Sequence, residues 1–427
     1  MTRKSRYGLI IVGVIIFAIG APLLVLYVQG KTIHFAGTRT QLTGIISAET
    51  SPSGAKIVVN EEPKTNTPGA VRFLASGDYT VSLSKSGYRT WTKRLAVIAG
   101  RVTHVNPNPT SLVLLKDSSP VELAKDAGVF TSDGKTIFYA SAEPKLILLS
   151  KENFSEIQSV VLPGPATHIL ADTDSNAVLA TGTNFIVVVD SKTLKITDYS
   201  KSFTTARNTV LSKGRLWGID KNSELVVAST VNKPTTAMAK EVAAFSVKEN
   251  DVYYLTTKGA LHHATFDGSI LDQDQILASN VPTGDHTDIY TDSAKAVYVL
   301  TDKRLLRINT IATEIATNVT KASVASGTLS YTTPGELVWF NSSSNKSQLI
   351  SRSSQPFTEF YVDPGLQYAF FTQGKELIAL ELDDNSGQNR YALDTPAVDT
   401  TLTDLSLIDN SILLYRTGTS LKSIVLR

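Results

Sequence analysis

The histidines are the first side chains to consider for chemistry, because an imidazole serves both as a general base and as a metal ligand. His262 and His263 are adjacent in a predicted strand, so their side chains should point to opposite faces of the sheet. We therefore predict a structural or surface role for both. His168 and His286 each lie near the first strand of a predicted repeat unit, but their wide separation in sequence gives no metal-ligand spacing. The histidines predict no metal site.

Acidic and amide side chains alternate in the segment "ADTDSNA", where Asp172, Asp174 and Asn176 resemble the oxygen ligands of a calcium loop. Such a loop needs a glycine at its sharp turn, and Ala177 stands there instead. No glutamate occupies the closing position either. Asp and Asn also favour tight turns because they bond to their own backbone, so we predict a solvated hairpin turn here.

Nucleotide-binding and hydrolase motifs are absent from the sequence. "GKT" occurs at Gly30 and Gly134, but Val25 and Val129 stand where a phosphate-binding loop needs another glycine. There is no G-x-S-x-G elbow, no H-E-x-x-H helix and no glycine-rich dinucleotide fingerprint. Cysteine is absent as well, which excludes disulfides and thiolate metal sites. We therefore predict no catalytic, cofactor-binding or metal-binding residue, and we favour a binding protein over an enzyme.

The charge of the chain argues against a nucleic-acid partner. Lys and Arg total 41 against 39 Asp and Glu, which leaves a formal net charge of +2. Phosphate backbones are bound by concentrated basic faces, and no long basic run occurs.

The elements that must position any site are short strands, which recur at a spacing of about 40 residues from about residue 120 onward, as in β-propellers. The second strands of the units read "TIFYA", "AVLA", "RLWGI", "DVYYL", "AVYVL", "LSY", "QYAFF" and "ILLY". The third strands read "KLILL", "FIVVV", "ELVVA", "ALHHA", "RLLRI", "ELVWF", "ELIAL" and "LKSIVL". We predict an all-β protein with an eight-bladed propeller over residues 116–427; seven blades is the alternative.

The last unit stops after its third strand, so a segment before the first unit must complete it, either "TSLVLL" or "PVELA". In the first unit, Asp133-Gly134 in "TSDGKTIFYAS" resembles the hairpin of TolB-like and WD-repeat-like propellers. Other units depart from that pattern, for example at Lys213-Gly214. The resemblance is therefore one of architecture.

A small β unit precedes the propeller, over residues 44–115. In "GDYTVSLS", Tyr79, Val81 and Leu83 fall on one side of a strand and polar residues on the other, so one face should be buried in an antiparallel meander. The order of turns and strands resembles the PEGA domain, with Ser53 in place of the glutamate that names the family. The matching residues are Pro52, Gly54, Ala55, Thr67, Pro68, Gly77, Tyr79, Gly87 and Tyr88. The resemblance implies a small β-sandwich of extracytoplasmic proteins in bacteria and archaea, in which these residues are structural, and which serves as a spacer or adhesion module.

An uncharged run from Tyr7 to Val28 is long enough to cross a bilayer as a helix. Arg3, Lys4 and Arg6 precede the run, so the positive-inside rule places the N-terminus in the cytoplasm. We predict a cytoplasmic tip and anchor over 1–30 and a linker over 31–43. The alternative is a cleaved signal peptide, whose apolar part is usually shorter.

Together these features predict a membrane-anchored extracytoplasmic protein of a prokaryotic cell envelope. Its propeller would dock another envelope protein or a cell-wall polymer, because binding sites favour loops on rigid scaffolds. The alternative is a propeller-type hydrolase, lyase or lactonase, which would need acidic and histidine side chains to converge in the central channel.

Overall fold

The computed structural model describes residues 11–22, 31–33, 40–106, 111–203, 207–229, 235–396 and 400–427. Apart from the helical residues 11–22, the described chain is built of β-strands and turns. It divides into two compact units. The first comprises residues 1–118, 383–389 and 427, and the second comprises residues 119–382 and 390–426.

The strands of the first unit are between two and eight residues long. They are β1 (Lys31–Ile33), β2 (Thr40–Leu42), β3 (Gly44–Ala48), β4 (Thr50–Ser51), β5 (Lys56–Val59), β6 (Glu62–Asn66), β7 (Gly69–Leu74), β8 (Gly77–Ser84), β9 (Trp91–Val97), β10 (Val102–His104) and β11 (Leu112–Val113). One sheet has the order β6-β5-β8-β9 and a second has the order β10-β3-β7, while β11 pairs with β4 and β1 with β2.

The buried faces of the two larger sheets share one core. Val81 and Leu83 of β8 are fully buried, as the alternation predicted, and they cluster with Ile46 of β3 and Trp91 of β9. The prediction of an antiparallel meander was wrong in part, because β10 pairs with β3 in parallel and β11 pairs with β4 in parallel. The chain crosses from one sheet to the other before each of these pairings, which a hairpin pattern in sequence does not reveal.

The second unit consists of eight four-stranded antiparallel sheets within the described residues, numbered here as sheets 1 to 8. Sheets 1 to 4 contain β13 (Ala127–Ser132), β14 (Thr136–Ser141), β15 (Lys145–Ser150) and β16 (Glu156–Val161); β17 (His168–Ala171), β18 (Ala177–Gly182), β19 (Phe185–Asp190) and β20 (Ile196–Asp198); β21 (Arg207–Ser212), β22 (Arg215–Ile219), β23 (Leu225–Ser229) and β24 (Thr235–Ala239); and β25 (Val242–Lys248), β26 (Asp251–Thr256), β27 (Leu261–Phe266) and β28 (Leu271–Ala278).

Sheets 5 to 8 follow the same order. They contain β29 (Thr287–Thr291), β30 (Val297–Thr301), β31 (Arg304–Ile308) and β32 (Ala312–Ala316); β33 (Lys321–Ala325), β34 (Thr328–Thr332), β35 (Glu336–Asn341) and β36 (Lys346–Arg352); β37 (Phe360–Asp363), β38 (Tyr368–Gln373), β39 (Glu376–Glu381) and β40 (Arg390–Asp394); and β41 (Leu402–Ile408), β42 (Ile412–Thr417) and β43 (Ser420–Val425), with β12 (Val121–Ala124) as the fourth strand of sheet 8.

The first strand of each sheet contacts the first strand of the next sheet, and β41 of sheet 8 contacts β13 of sheet 1. This succession of four-stranded meanders is a β-propeller. Of the two segments proposed to complete the last sheet, "PVELA" is the one that does so, because β12 pairs antiparallel with β43. "TSLVLL" contributes β11 to the first unit instead.

The core of the propeller lies between neighbouring sheets. The second and third strands are buried on both faces, so they read as continuous apolar runs such as β14 and β15, whereas fourth strands such as β16 are largely exposed. This pattern explains why the second and third strands were visible in the sequence and the fourth were not.

No helix in the part of the chain that the structure describes is both long and apolar enough to cross a membrane. The described helical residues are 11–22, and the remainder of the predicted anchor, residues 7–10 and 23–28, lies outside the described residues.

Candidate binding cavity between sheets 2 and 3

The direction of the strands gives the propeller two distinct faces. The first strands begin at one face, where the hairpins between second and third strands also lie; we call it the upper face. The hairpins between first and second strands, and between third and fourth strands, lie at the opposite end, the lower face.

A cavity of about 820 Å³ opens at the upper face between sheets 2 and 3. This volume is within the range of small-molecule binding sites in proteins. Sheet 2 contributes the start of β17 and the β18–β19 hairpin, and sheet 3 contributes β21. The lining residues are His168, Thr181, Gly182, Thr183, Asn184, Phe185, Ile186, Ser200, Phe203, Thr209 and Val210.

Close packing of the β18–β19 hairpin shapes one wall. The ring of Phe185 lies over Gly182, so closely that a Cβ on Gly182 would be 2.3 Å from the ring and 2.5 Å from the carbonyl oxygen of Pro165. Only glycine allows this approach. The hairpin therefore holds Phe185 in the wall and leaves Thr183 and Asn184 exposed at its tip.

The opposite wall is formed by the segment that leaves β20. Phe203 is buried, and its backbone N–H donates to the carbonyl oxygen of Tyr199 at 3.0 Å. The rings of Tyr199 and Phe203 meet edge to face, with centroids 6.2 Å apart. Tyr199 in turn donates its hydroxyl to the carbonyl oxygen of Ser229 in sheet 3. Aromatic packing and this hydrogen bond make the wall rigid and connect it to both sheets.

His168 is the titratable group among the described lining residues. Partial desolvation lowers the pKa of the His168 imidazole although the residue is exposed, so the neutral form is favoured. Its side chain makes no hydrogen bond to another residue in the described ranges, so nothing orients the ring for proton transfer. The cavity is therefore uncharged and offers hydroxyl, amide and imidazole groups beside two aromatic rings. Such a surface suits a neutral polar ligand or a polymer segment.

The seam between sheets 2 and 3 is fixed at the lower face by Asp172. This side chain is 4% exposed and accepts a hydrogen bond from the backbone N–H of Gly214 in sheet 3 at 2.6 Å. It also accepts from the Ser175 hydroxyl at 2.7 Å and from the N–H of Asp174 at 3.1 Å. The prediction of a solvated turn was thus wrong for Asp172 and correct for the exposed Asp174. Asp172 therefore connects neighbouring sheets, and both of its carboxylate oxygens already accept hydrogen bonds.

Similar contacts occur at other seams of the lower face. Asp363 of sheet 7 is fully buried and accepts from the hydroxyl of Ser326 in sheet 6 at 2.8 Å. Lys248 of sheet 4 donates to the carbonyl oxygen of Asp292 in sheet 5 at 3.0 Å. The carboxylates of Asp172 and Asp363 therefore join neighbouring sheets, and the sequence did not predict this because their partners lie about 40 residues away.

A smaller cavity of about 580 Å³ lies at the lower face of the same seam. Lys195, Lys213 and Arg215 line it together with Asp190. Arg215 is already engaged, because its guanidinium donates to the carbonyl oxygen of Gly268 at 2.9 Å. The remaining cations are on the exposed rim, so this cavity is a weaker candidate than the upper one.

The adjacent histidines have separate partners, as strand alternation predicted. His262 stacks on Tyr254 and bonds through Nδ1 to Asp274 at 3.0 Å. His263 bonds through Nε2 to Asp251 at 2.9 Å, on the other face of sheet 4. The structure does not bring His168 and His286 together, because His168 belongs to sheet 2 and His286 directly precedes sheet 5. Within the described residues, no group of three or more His, Asp or Glu side chains could hold a metal ion.

The first half of the PEGA-like motif forms a hydrogen-bonded turn in the N-terminal unit. Pro52 and Pro68 both follow cis peptide bonds, and Gly54 has a φ of 81°. The backbone N–H of Ala55 donates to the hydroxyl of Thr67 at 2.9 Å, and the N–H of Thr67 donates to the carbonyl oxygen of Ala55 at 2.8 Å. Ala55 and Thr67 are both buried, so this reciprocal pair closes one end of the sandwich.

The second half of the motif begins and follows β8. Gly77 begins the strand, and Gly87 has a φ of 79° in the turn after it, where glycine avoids a steric cost. Tyr79 and Tyr88 are partly buried and pack against the core, and the Tyr79 hydroxyl donates to a backbone carbonyl at 3.0 Å. Trp91 is fully buried and belongs to the core.

Comparison with known proteins agrees with both units. Residues 43–110 match the model of the PEGA domain. No curated protein matches the sequence. The C-terminal WD40 domain of Sif2 superposes with a TM-score of 0.54 at 12% identity, covering 72% of this chain and 98% of that domain.

Two further propellers are similar. BamB from Moraxella catarrhalis gives a TM-score of 0.51 at 12% identity, covering 73% of this chain and all of that one. The dihydro-heme d1 dehydrogenase NirN, in complex with DHE, gives a TM-score of 0.51 at 10% identity. The match covers 72% of this chain and 79% of that one. At these identities the likeness shows a β-propeller fold and nothing about chemistry.

Proposed function

We propose that this chain is a membrane-anchored extracytoplasmic binding protein of a prokaryotic cell envelope. Its propeller has eight blades and is closed by the N-terminal strand β12. The upper cavity between sheets 2 and 3 docks a segment of an envelope protein or of a cell-wall polymer. The observation that carries this proposal is that cavity, uncharged, walled by buried aromatic rings and held by contacts between two sheets.

The eight-bladed architecture is supported by the strand pairing. Eight four-stranded sheets follow one another in the described residues, and β12 from the N-terminal side completes the eighth. The contact of β41 with β13 joins the last sheet to the first. A ring closed in this way leaves only the outer fourth strands as sheet edges and gives the upper face a rigid base.

The membrane anchor is supported by the surface of the N-terminal helical residues. Their large apolar side chains are 52–75% exposed and lie all around the helix, at Ile11, Val12, Val14, Ile15, Ile16, Phe17 and Ile19. A helix that is apolar on every side needs an apolar environment, and a bilayer supplies one. The PEGA-like unit that follows is consistent with an extracytoplasmic location.

The binding role is tested by site-specific photocrosslinking in the membrane of the native cell. A photoreactive residue at Asn184 probes the upper hairpin of sheet 2, and one at Lys192 probes the lower hairpin of the same sheet. We expect one discrete product, an envelope protein or a cell-wall fragment, from position 184 and none from position 192. Equal products from both positions, or none from either, would contradict docking at the upper face.

Asp288 keeps the alternative of a propeller hydrolase, lyase or lactonase open. It lies on the innermost strand of sheet 5, where its side chain is exposed; partial desolvation raises the pKa of its carboxyl group, and the nearby His286 opposes that shift. Carboxyl groups with raised pKa values are common among catalytic acids. If the chain hydrolyses or eliminates a cell-wall substrate, Asp288→Asn should abolish that activity while leaving the crosslink at position 184 intact.

A further inference from the structure

We infer that one end of the PEGA-like unit rests on the lipid surface, through an apolar patch with basic residues beside it. The patch consists of Ile45, Phe73, Ile98 and Val102, and we call it the apolar tip. This inference rests on the proposed membrane anchor. It goes beyond that proposal because it assigns a second, peripheral lipid contact to a unit that is not itself in the membrane.

The strand register places the members of the apolar tip at one end of the three-stranded sheet. Val102 of β10 pairs with Ile45 of β3. On the other side of β3, Gly44 pairs with Leu74 and Ile46 pairs with Val71. Arg72 and Phe73 of β7 therefore both lie opposite Ile45. The turn containing Ile98 lies beside the same end, since a Cβ on Gly44 would be 2.6 Å from the Ile98 carbonyl oxygen.

The tip faces away from the sandwich core. Ile46 is fully buried, and the alternation of a strand turns Ile45 and its partner Val102 to the outer face. Phe73 is 39% exposed, Ile98 52% and Val102 49%. Large apolar side chains grouped in this way on the outside of a small domain mark a contact surface.

The backbone at Phe73 is strained. Phe73 lies in the bulge opposite Ile45 and has a φ of 61°, a conformation that is rare and costly for a bulky residue. Bulges redirect side chains at functional edges of sheets. Folding alone would favour a regular strand or a glycine here, so the strain points to a role for the exposed ring.

The charges beside the tip suit an anionic lipid surface. Arg72 and Arg101 are exposed and adjoin Phe73 and Val102 in sequence. Neither arginine forms an ion pair with another residue in the described ranges. The segments that form the tip, residues 43–47, 71–77 and 97–104, contain no acidic residue. Basic residues beside apolar side chains are the usual composition of an interfacial lipid contact.

The chain between the anchor and the tip is short. Lys31 of β1 pairs with Leu42 of β2, so the intervening residues do not add length to the connection. Two connections of three residues each, 28–31 and 42–45, can reach at most about 11 Å apiece, and the strand spacing adds about 5 Å, so the whole connection spans at most about 27 Å. The tip is therefore held near the end of the apolar run, where lipid headgroups lie if the run spans the bilayer.

The test uses the full chain reconstituted into phosphatidylcholine vesicles with and without phosphatidylglycerol. Because the sequence has no cysteine, a single Val102→Cys or Ile98→Cys variant carries one environment-sensitive fluorophore at the tip. Ser53→Cys, in the exposed turn beyond the opposite end of β3, is the matched control. Lipids with a spin label in the acyl chain then quench any fluorophore that enters the membrane.

We expect quenching at positions 98 and 102, none at position 53, and stronger quenching with phosphatidylglycerol. Arg72→Gln and Arg101→Gln, which each remove one positive charge, should each weaken lipid contact about fivefold in anionic vesicles. Vesicle flotation separates the two proposals. A chain that floats without quenching at either tip position refutes the tip contact and leaves the anchor standing, whereas a chain that does not float refutes both.

Discussion

Replacing Asp172 by alanine should loosen the seam between sheets 2 and 3. The buried carboxylate accepts three hydrogen bonds, and the one from the Gly214 N–H joins the two sheets. Hydrogen bonds to charged groups contribute about 1.5–3 kcal/mol each, and a buried N–H left without an acceptor costs about 1–3 kcal/mol. Part of this loss is recovered by water that enters the exposed lower face. We therefore expect a destabilisation of about 3 kcal/mol.

The measurement is thermal unfolding of the full chain in detergent or vesicles, followed by circular dichroism. For a domain of this size, 3 kcal/mol corresponds to a fall in Tm of about 6 °C. Asp172→Asn retains one acceptor oxygen and should lose about half as much. Asp174→Asn, two residues away and exposed, is the matched control and should change stability by less than about 0.5 kcal/mol.

Two results would refute this account of Asp172. Equal Tm values for Asp172→Ala and Asp174→Asn would mean that the seam does not depend on the carboxylate. A rise in the Tm of the wild type on addition of calcium, lost in Asp172→Ala, would mean that the segment binds a cation after all. If the account is correct, Asp172→Ala should also reduce crosslinking from position 184, because the same seam supports the upper cavity.

Three further substitutions test other parts of the structure. Thr67→Val should cost about 1–3 kcal/mol in urea unfolding, because it removes the buried acceptor of the Ala55 N–H. Gly182→Ala should cost about 1–3 kcal/mol and weaken crosslinking at the upper face, because its Cβ would displace the Phe185 ring. His168→Gln should remove a small loss of stability below about pH 6.5, because a histidine with a lowered folded pKa stabilises the protein above its unfolded pKa of about 6.5 and less as pH falls; the effect is small because the side chain is exposed and solvent screens it.

Each of these has a control in the same unit. Thr65→Val changes an exposed threonine near Thr67, and Gly128→Ala adds a Cβ whose nearest neighbour is 3.4 Å away; both should leave stability almost unchanged. For the histidine, the glutamine variant should match the wild type above pH 7. If the stabilities of the wild type and the variant decrease equally between pH 7 and 5, His168 is not the source of the pH dependence.

The central strands of the propeller were predictable from sequence and its seams were not. Runs such as "TIFYA" and "KLILL" are apolar because both of their faces are buried, and each coincides with a second or third strand. The fourth strands carry no such signal, since β16 is exposed on most positions. The local sequence could not show whether "TSLVLL" or "PVELA" completes the last sheet. Both are short β-type segments, and only their distant partner strands distinguish them.

The candidate cavity was only partly visible. His168 attracted attention as a titratable residue near a first strand, but the cavity also needs Gly182, Phe185 and Phe203, which are ordinary residues for turns and cores. These residues lie together only because sheets 2 and 3 pack side by side. Asp172 was misjudged for the same reason, since its partner Gly214 lies in the next sheet. Within the small unit, the PEGA pattern located the turns, but it did not predict the bulge at Phe73.

The pairing of β12 with β43 has a consequence for how the protein is made. Ala124 finds its partner Leu421 only after the whole propeller between them has been synthesised. The strand β12 therefore stays without its partner while sheets 1 to 7 are synthesised, and it can pair only once β43 has been made. A truncation within β43 would therefore leave β12 without its partner strand, although the strands of the other seven sheets would all be present.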